Sequence, residues 1–142
     1  SLADPTAKMS KSDENQNAVV YILDSKDDII RKFRRAVTDS DTSVRYAEGK
    51  DGINNLMNIY HAFTGKTNEE IEREFDGRGY GDFKAAVGEA CAEALAPVRE
   101  EYNRLMADKA YLESVMKEGA ACAAYYAQKT MSKVFRKLGF VN

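Results

Sequence analysis

Lys8-Met9-Ser10-Lys11-Ser12 sets two ammonium groups three residues apart and supplies two hydroxyls alongside them, in a stretch with no apolar periodicity to pack it away. Such a loop is a chemically complete clamp for a polyphosphate. The cations neutralise the oxygens, while hydroxyl and backbone N–H donors orient them. An arbitrary pair of lysines at this spacing is a solvated basic linker. The full five-residue string, with Asp4-Pro5-Thr6 before it and Asp13 after it, favours the phosphate reading.

Other chemistries find no support. A single histidine, His61, excludes a site of clustered imidazoles, gives zinc no pair of His ligands and has no base-and-nucleophile pair around it, so it reads as a core-edge or surface residue. No metal ligand set is expected. Gly65-Lys66-Thr67 resembles the end of a P-loop, but Tyr60 stands where that loop needs its first glycine. The Gly77-x-Gly79-x-Gly81 triplet continues into Asp82 and lacks the dinucleotide spacing. Asp39-x-Asp41 opens like a calcium loop, yet the sharp-turn position of that frame is Val44. Cys91 and Cys122 are far apart on Ala-rich stretches and read as reduced, buried thiols of a cytosolic protein.

The elements that must position the clamp follow from periodicity and capping residues. The first sixteen residues read as a flexible arm or exposed loop. Ala18 to Leu23 is either one buried strand or an extended entry segment, and the absence of a second comparable run favours the extended segment. Ser25 caps a helix over Lys26–Ala36. A second helix starts at Asp51 and stops at Gly65, and the Thr67 and Glu70 capping box opens a short third one ending at the Gly77, Gly79, Gly81 cluster. A long fourth helix runs from Asp82 with Pro97 as a kink or break, and a fifth starts near Asp108. The fold class is therefore all-α, a helical bundle of about five helices, with the small residues of Ala120 to Ala127 permitting close helix approach.

With 142 residues the chain has one domain's worth of sequence, and 44% hydrophobic with 31% charged residues excludes disorder. The longest apolar runs, Ala18 to Leu23 and Ala120 to Ala127, are far too short to span a bilayer, so no membrane partner is expected. The net charge of −2 conceals an uneven distribution. Arg31, Lys32, Arg34 and Arg35 crowd the first helix, Lys129, Lys133, Arg136 and Lys137 follow the last acid, Glu118, and acids outnumber bases between the two clusters.

KMSKS is the second signature of class I aminoacyl-tRNA synthetases, and the chain resembles the C-terminal part of the bacterial-type, tryptophan-specific branch of that family. The resemblance covers essentially the whole chain. It rests also on Arg35-Ala36-Val37-Thr38-Asp39-Ser40, on Gly52-Ile53-Asn54-Asn55-Leu56-Met57-Asn58-Ile59-Tyr60, on Gly79-Tyr80-Gly81-Asp82-Phe83-Lys84 and on Leu138-Gly139-Phe140. It implies an ATP-dependent, AMP-forming ligase of protein biosynthesis that activates tryptophan and then aminoacylates tRNA(Trp) in the cytoplasm. Lys8 and Lys11 would be catalytic, neutralising the leaving pyrophosphate together with Mg2+. Lys8, Met9, Ser10, Lys11 and Ser12 would bind ATP, Ser10 and Ser12 by hydrogen bonds to phosphate or by ordering the loop, with Met9 mainly a packing anchor.

The resemblance also divides the chain into residues 1–16, a loop segment from the end of a nucleotide-binding domain, and residues 17–142, a helical domain that binds the tRNA anticodon region. The HIGH-type signature and the indole pocket are not in this sequence, so it reads as a fragment that is inactive alone; L-tryptophan and the homodimer interface belong to the missing domain. For tRNA the candidates are Arg31, Lys32, Arg34, Arg35, Lys129, Lys133, Arg136 and Lys137, with Tyr125 and Tyr126 beside Lys129; solvated helix faces with tyrosines in the core are the alternative. A free-standing helical tRNA-binding or interaction module without catalysis, and a tyrosine-specific relative, remain open readings of the same residues.

Overall fold

A computed structural model describes residues 1–140; Val141 and Asn142, which close the expected 17–142 domain, lie outside the described residues. Five helices follow in order: α1 (Lys26–Arg34), α2 (Asp51–Thr64), α3 (Asn68–Glu74), α4 (Tyr80–Ala107) and α5 (Lys109–Leu138). No strand occurs among the described residues, so Ala18 to Leu23 is extended chain, and the all-α expectation holds. No helix there is long and apolar enough to cross a membrane. The chain divides into two compact units, Ser1–Arg99 and Glu100–Asn142, with α4 contributing to both.

Local chemistry sets most helix ends. Ser25 accepts a hydrogen bond from the Asp28 amide and opens α1. Both halves of the Thr67 and Glu70 capping box are formed at α3. Gly65 closes α2 with φ +73°, a left-handed conformation that a Cβ would strain. The Asp108 carboxylate accepts from the Tyr111 amide and opens α5.

Two boundaries and one kink depart from expectation. α1 stops at Arg34 instead of Ala36, because the next amides turn away: Ala36 bonds back to Phe33, and Val37 donates to the Leu2 carbonyl at 2.8 Å. α4 starts two residues early, at Tyr80, with the Asp82 and Phe83 amides both directed at the Gly79 carbonyl. Pro97 lies inside α4 without ending it.

The first unit holds the core. Phe83, Tyr60 and Phe75 pack edge-to-face at centroid distances of 5.0 to 5.9 Å, with Ile29 and Phe33 from α1 and Leu56 from α2 around them. Leu2 belongs to this core and is 1% exposed, so the first sixteen residues are a loop anchored at its base and no free arm. Gly52 lets α2 touch the chain after α1. A Cβ there would sit 2.3 Å from the Val37 carbonyl oxygen.

Within the second unit no described residue is buried, which corrects the expectation for Cys122. Cys122 is exposed, as is the Ala-rich stretch around it, because no other helix of that unit packs against the 30 residues of α5 among the described residues. Cys91 is buried as expected, and burial pushes its thiol up to about 11, well above any neutral-pH reactivity.

Candidate functional site: the phosphate loop and two basic faces

The clamp stands on a loop whose two ends meet. The Leu2 amide donates to the Ala18 carbonyl at 3.0 Å, the Leu2 carbonyl accepts from Val37, and Asn55 Nδ2 of α2 reaches the Ser1 carbonyl at 3.4 Å. Composition alone did not reveal this stem, since Leu2 is one isolated apolar residue in a polar stretch.

Above the stem, Asp4 accepts from the Thr6 amide and hydroxyl, bonds that hold its carboxyl below the ordinary range, and so closes the Asp-Pro-Thr turn. The Asp13 amide bonds the Ser10 carbonyl and folds the end of the signature into a tight turn. Ser10 Oγ and Ser12 Oγ lie 3.1 Å apart and hydrogen-bond each other. Met9 is half-buried and packs against the core, and it separates the two lysines.

Lys8 and Lys11 are exposed, and neither forms an ion pair among the described residues. Uncommitted ammonium groups on a pinned loop are what a polyphosphate needs, since no existing bond must be broken to bind it. No cluster of three or more His, Cys, Asp or Glu occurs among the described residues. What the loop offers a polyphosphate is cations and hydroxyls for the phosphate oxygens.

Beside the loop stem, Lys50, Asp41, Asp39 and Tyr80 form one polar knot. Lys50 Nζ donates to Asp41 Oδ2 at 2.6 Å and to the Tyr80 hydroxyl at 2.8 Å, and that hydroxyl donates to Asp39 Oδ1 at 2.8 Å. The knot ties the 36–50 segment to the starts of α2 and α4. The Lys50 bond holds the Asp41 carboxyl far below the ordinary range. A depressed acid contributes stability that is complete above its unfolded value of 3.8 and lost as pH falls through the folded value. The urea midpoint of the wild-type chain is therefore expected to start falling below about pH 5 and to fall most steeply once pH drops below 3.8. Asp41→Asn should flatten that limb, and an unchanged slope would remove Asp41 from the account.

The two basic clusters fare differently. On α1, Arg34 and Arg35 are exposed, and Arg31 is exposed but paired with Asp28 at 2.6 Å. Lys32 does not belong with them, which corrects the expectation that it faces a partner. It is 5% exposed, with its ammonium 2.6 Å from Asp24 Oδ2 and over the Tyr21 ring. The amphipathic turn places it inward, where Asp24 neutralises it.

On α5, Lys129, Lys133, Arg136 and Lys137 are all exposed, and their spacing of four, three and one puts them on one face. Tyr125 and Tyr126 are exposed too and packed edge-to-face at 5.4 Å at the N-terminal end of that face. Aromatic rings next to a row of cations match the pattern by which proteins bind unpaired bases and their phosphates. His61 has a local role: its Nδ1 lies 2.6 Å from the Lys66 carbonyl, bracing the turn after α2.

The family described as tRNA synthetases class I (W and Y) matches residues 1–96. A tryptophan–tRNA ligase of Clostridium tetani is 49% identical over 99% of this chain and 41% of its own length, and one of Wolinella succinogenes is 46% identical over 99% and 43%. The crystal structure of tryptophanyl-tRNA synthetase from Campylobacter jejuni superposes with a TM-score of 0.77 at 28% identity, covering 94% of this chain and 43% of that one. The corresponding structure from Mycoplasma pneumoniae gives 0.65 at 34% identity, over 72% of this chain and 34% of that one. The chain spans about two fifths of the length of the curated relatives it matches.

Proposed function

The chain belongs to the class I tRNA synthetases of the tryptophan and tyrosine group, and from that premise we propose that it is the C-terminal portion of a tryptophan–tRNA ligase. The observation that carries this reading is the KMSKS string displayed with both lysines exposed, in a chain 44–49% identical to tryptophan–tRNA ligases over nearly its full length.

In the reaction the tryptophan carboxylate attacks the α-phosphorus of ATP, the bond to the β-phosphate breaks, and pyrophosphate leaves with the negative charge. Lys8 and Lys11 meet that charge in this reading, and Ser10 and Ser12 exchange their mutual bond for bonds to phosphate oxygens. Mg2+, when bound with ATP, would supply further neutralisation of the leaving pyrophosphate. The adenylate then passes its aminoacyl group to the tRNA 3′ end.

Residues 1–16 serve the ATP-handling part, and residues 17–142 form the tRNA-binding part. Arg31, Arg34 and Arg35 on α1, and Lys129, Lys133, Arg136 and Lys137 on α5, serve as the phosphate contacts. The tryptophan pocket and the homodimer contact lie in the remainder of the ligase, which works in the cytoplasm.

Isotope exchange between pyrophosphate and ATP tests this. The 142-residue chain alone is expected to give none, and the polypeptide that joins it to an N-terminal portion like that of its relatives gives exchange that depends on tryptophan. Exchange by the isolated chain, or dependence of the joined polypeptide on tyrosine, overturns the assignment.

A further inference from the structure

Tyr21 lies outside the signature, yet its hydroxyl donates to the Lys11 carbonyl at 3.2 Å. The residue that makes this bond is itself held on two sides. Its amide donates to Asp24 Oδ2 at 2.8 Å, and the Asp24 amide returns to the Tyr21 carbonyl at 3.0 Å, which closes a turn. Its ring lies 4.7 Å from Lys32 Nζ, the same ammonium that bonds Asp24 Oδ2 at 2.6 Å. Asp24 is fastened in turn to α4, because Arg99 Nη1 donates to its carbonyl at 2.9 Å.

We propose that Tyr21 is a positioning residue for Lys11, a latch that transmits the fixed Asp24–Lys32 pair of the helical core to the second lysine of the phosphate loop. The inference rests on the ligase reading for its consequence but not for its existence. The latch grips the backbone, so it fixes where the Lys11 side chain starts and leaves the ammonium free. A loop held this way loses less conformational freedom when a polyphosphate binds. This also gives the buried Lys32 a use: it supports the ring that supports the loop.

Trypsin reads the latch directly, because it must attack the Lys11 carbonyl that Tyr21 holds and must draw the surrounding peptide out of its turn. In the 142-residue chain, Tyr21→Phe keeps the ring over Lys32 and removes only the hydroxyl. Cleavage of the Lys11–Ser12 bond is expected to accelerate about threefold, with the Lys8–Met9 bond, beyond the packed Met9, and the thermal midpoint unchanged. Equal rates in both chains overturn the latch, and so does equal acceleration at both bonds, which would report general loosening.

In the joined ligase the same substitution should lower kcat/KM for ATP about threefold in pyrophosphate exchange, because Lys11 acts chiefly on the transition state. The KM for tryptophan stays as it was; a merely structural defect would move it as well. An unchanged kcat/KM for ATP overturns the positioning role. Absence of exchange in the wild-type polypeptide is a failure of the ligase reading instead, and it leaves the proteolysis result to decide the latch.

Discussion

Lys11→Ala in the joined ligase is expected to slow tryptophanyl-adenylate formation by about 100- to 1,000-fold, the loss typical of removing one preorganised group that meets charge developing in the transition state. ATP binding is expected to weaken far less, within about tenfold. Lys11 has no ion pair to give up among the described residues, so nothing is lost when it turns to phosphate, but Lys8 is expected to meet ground-state ATP as well and to leave Lys11 a modest share of that binding. As the bond to the β-phosphate breaks, negative charge grows on the pyrophosphate oxygens and the attraction grows with it. Single-turnover adenylate formation with a separate measurement of ATP affinity distinguishes the two effects. Equal loss in both assigns Lys11 to binding alone.

Gly52→Ala is expected to lower the unfolding free energy of the first unit by about 3 kcal/mol, the upper range for forcing a methyl into a filled site. The added Cβ meets the Val37 carbonyl oxygen at 2.3 Å and the Thr38 Cα at 2.9 Å, and backbone cannot rotate aside as a side chain can. The strain also reaches the phosphate loop, because the Val37 amide is the donor to the Leu2 carbonyl at the loop's stem. Urea denaturation gives the magnitude, and faster trypsin cleavage within residues 3–17 reports the loosened stem. Gly119→Ala is the control. Gly119 lies mid-helix in α5, and a methyl added there would meet nothing within 4 Å, so replacing it should add up to about 1 kcal/mol of helix stability. A Gly52→Ala chain as stable as wild type would mean that the contact between α2 and the Val37–Thr38 segment relaxes freely.

Some of this molecule is written in short stretches of chain. Ser25, Thr67 with Glu70, Gly65 and Asp108 fix helix ends because their partners lie within four residues, so sequence spacing and spatial spacing coincide. The five helices were legible for that reason. The KMSKS loop was legible for another: its chemistry depends on side chains that point into solvent and need no distant neighbour.

Tertiary structure decided what each charged or apolar residue meets across longer separations. Lys32 looked like one of four surface cations until Asp24, eight residues earlier, took it inward. Leu2 looked like part of a loose arm, yet its neighbour's carbonyl meets Asn55, 54 residues away. Tyr80 and Asp39 are 41 residues apart and share one hydrogen bond. Cys122 sits among alanines that pattern reading places in a core, and it is exposed because its own unit supplies too little surface to cover α5. Helical period states which residues share a face, whereas burial depends on whether another element arrives to cover that face. The sequence by itself thus determined the helices, their caps and the KMSKS string proposed to bind phosphate. Packing alone decided that the string stands on a pinned stem, with Tyr21 against its second lysine.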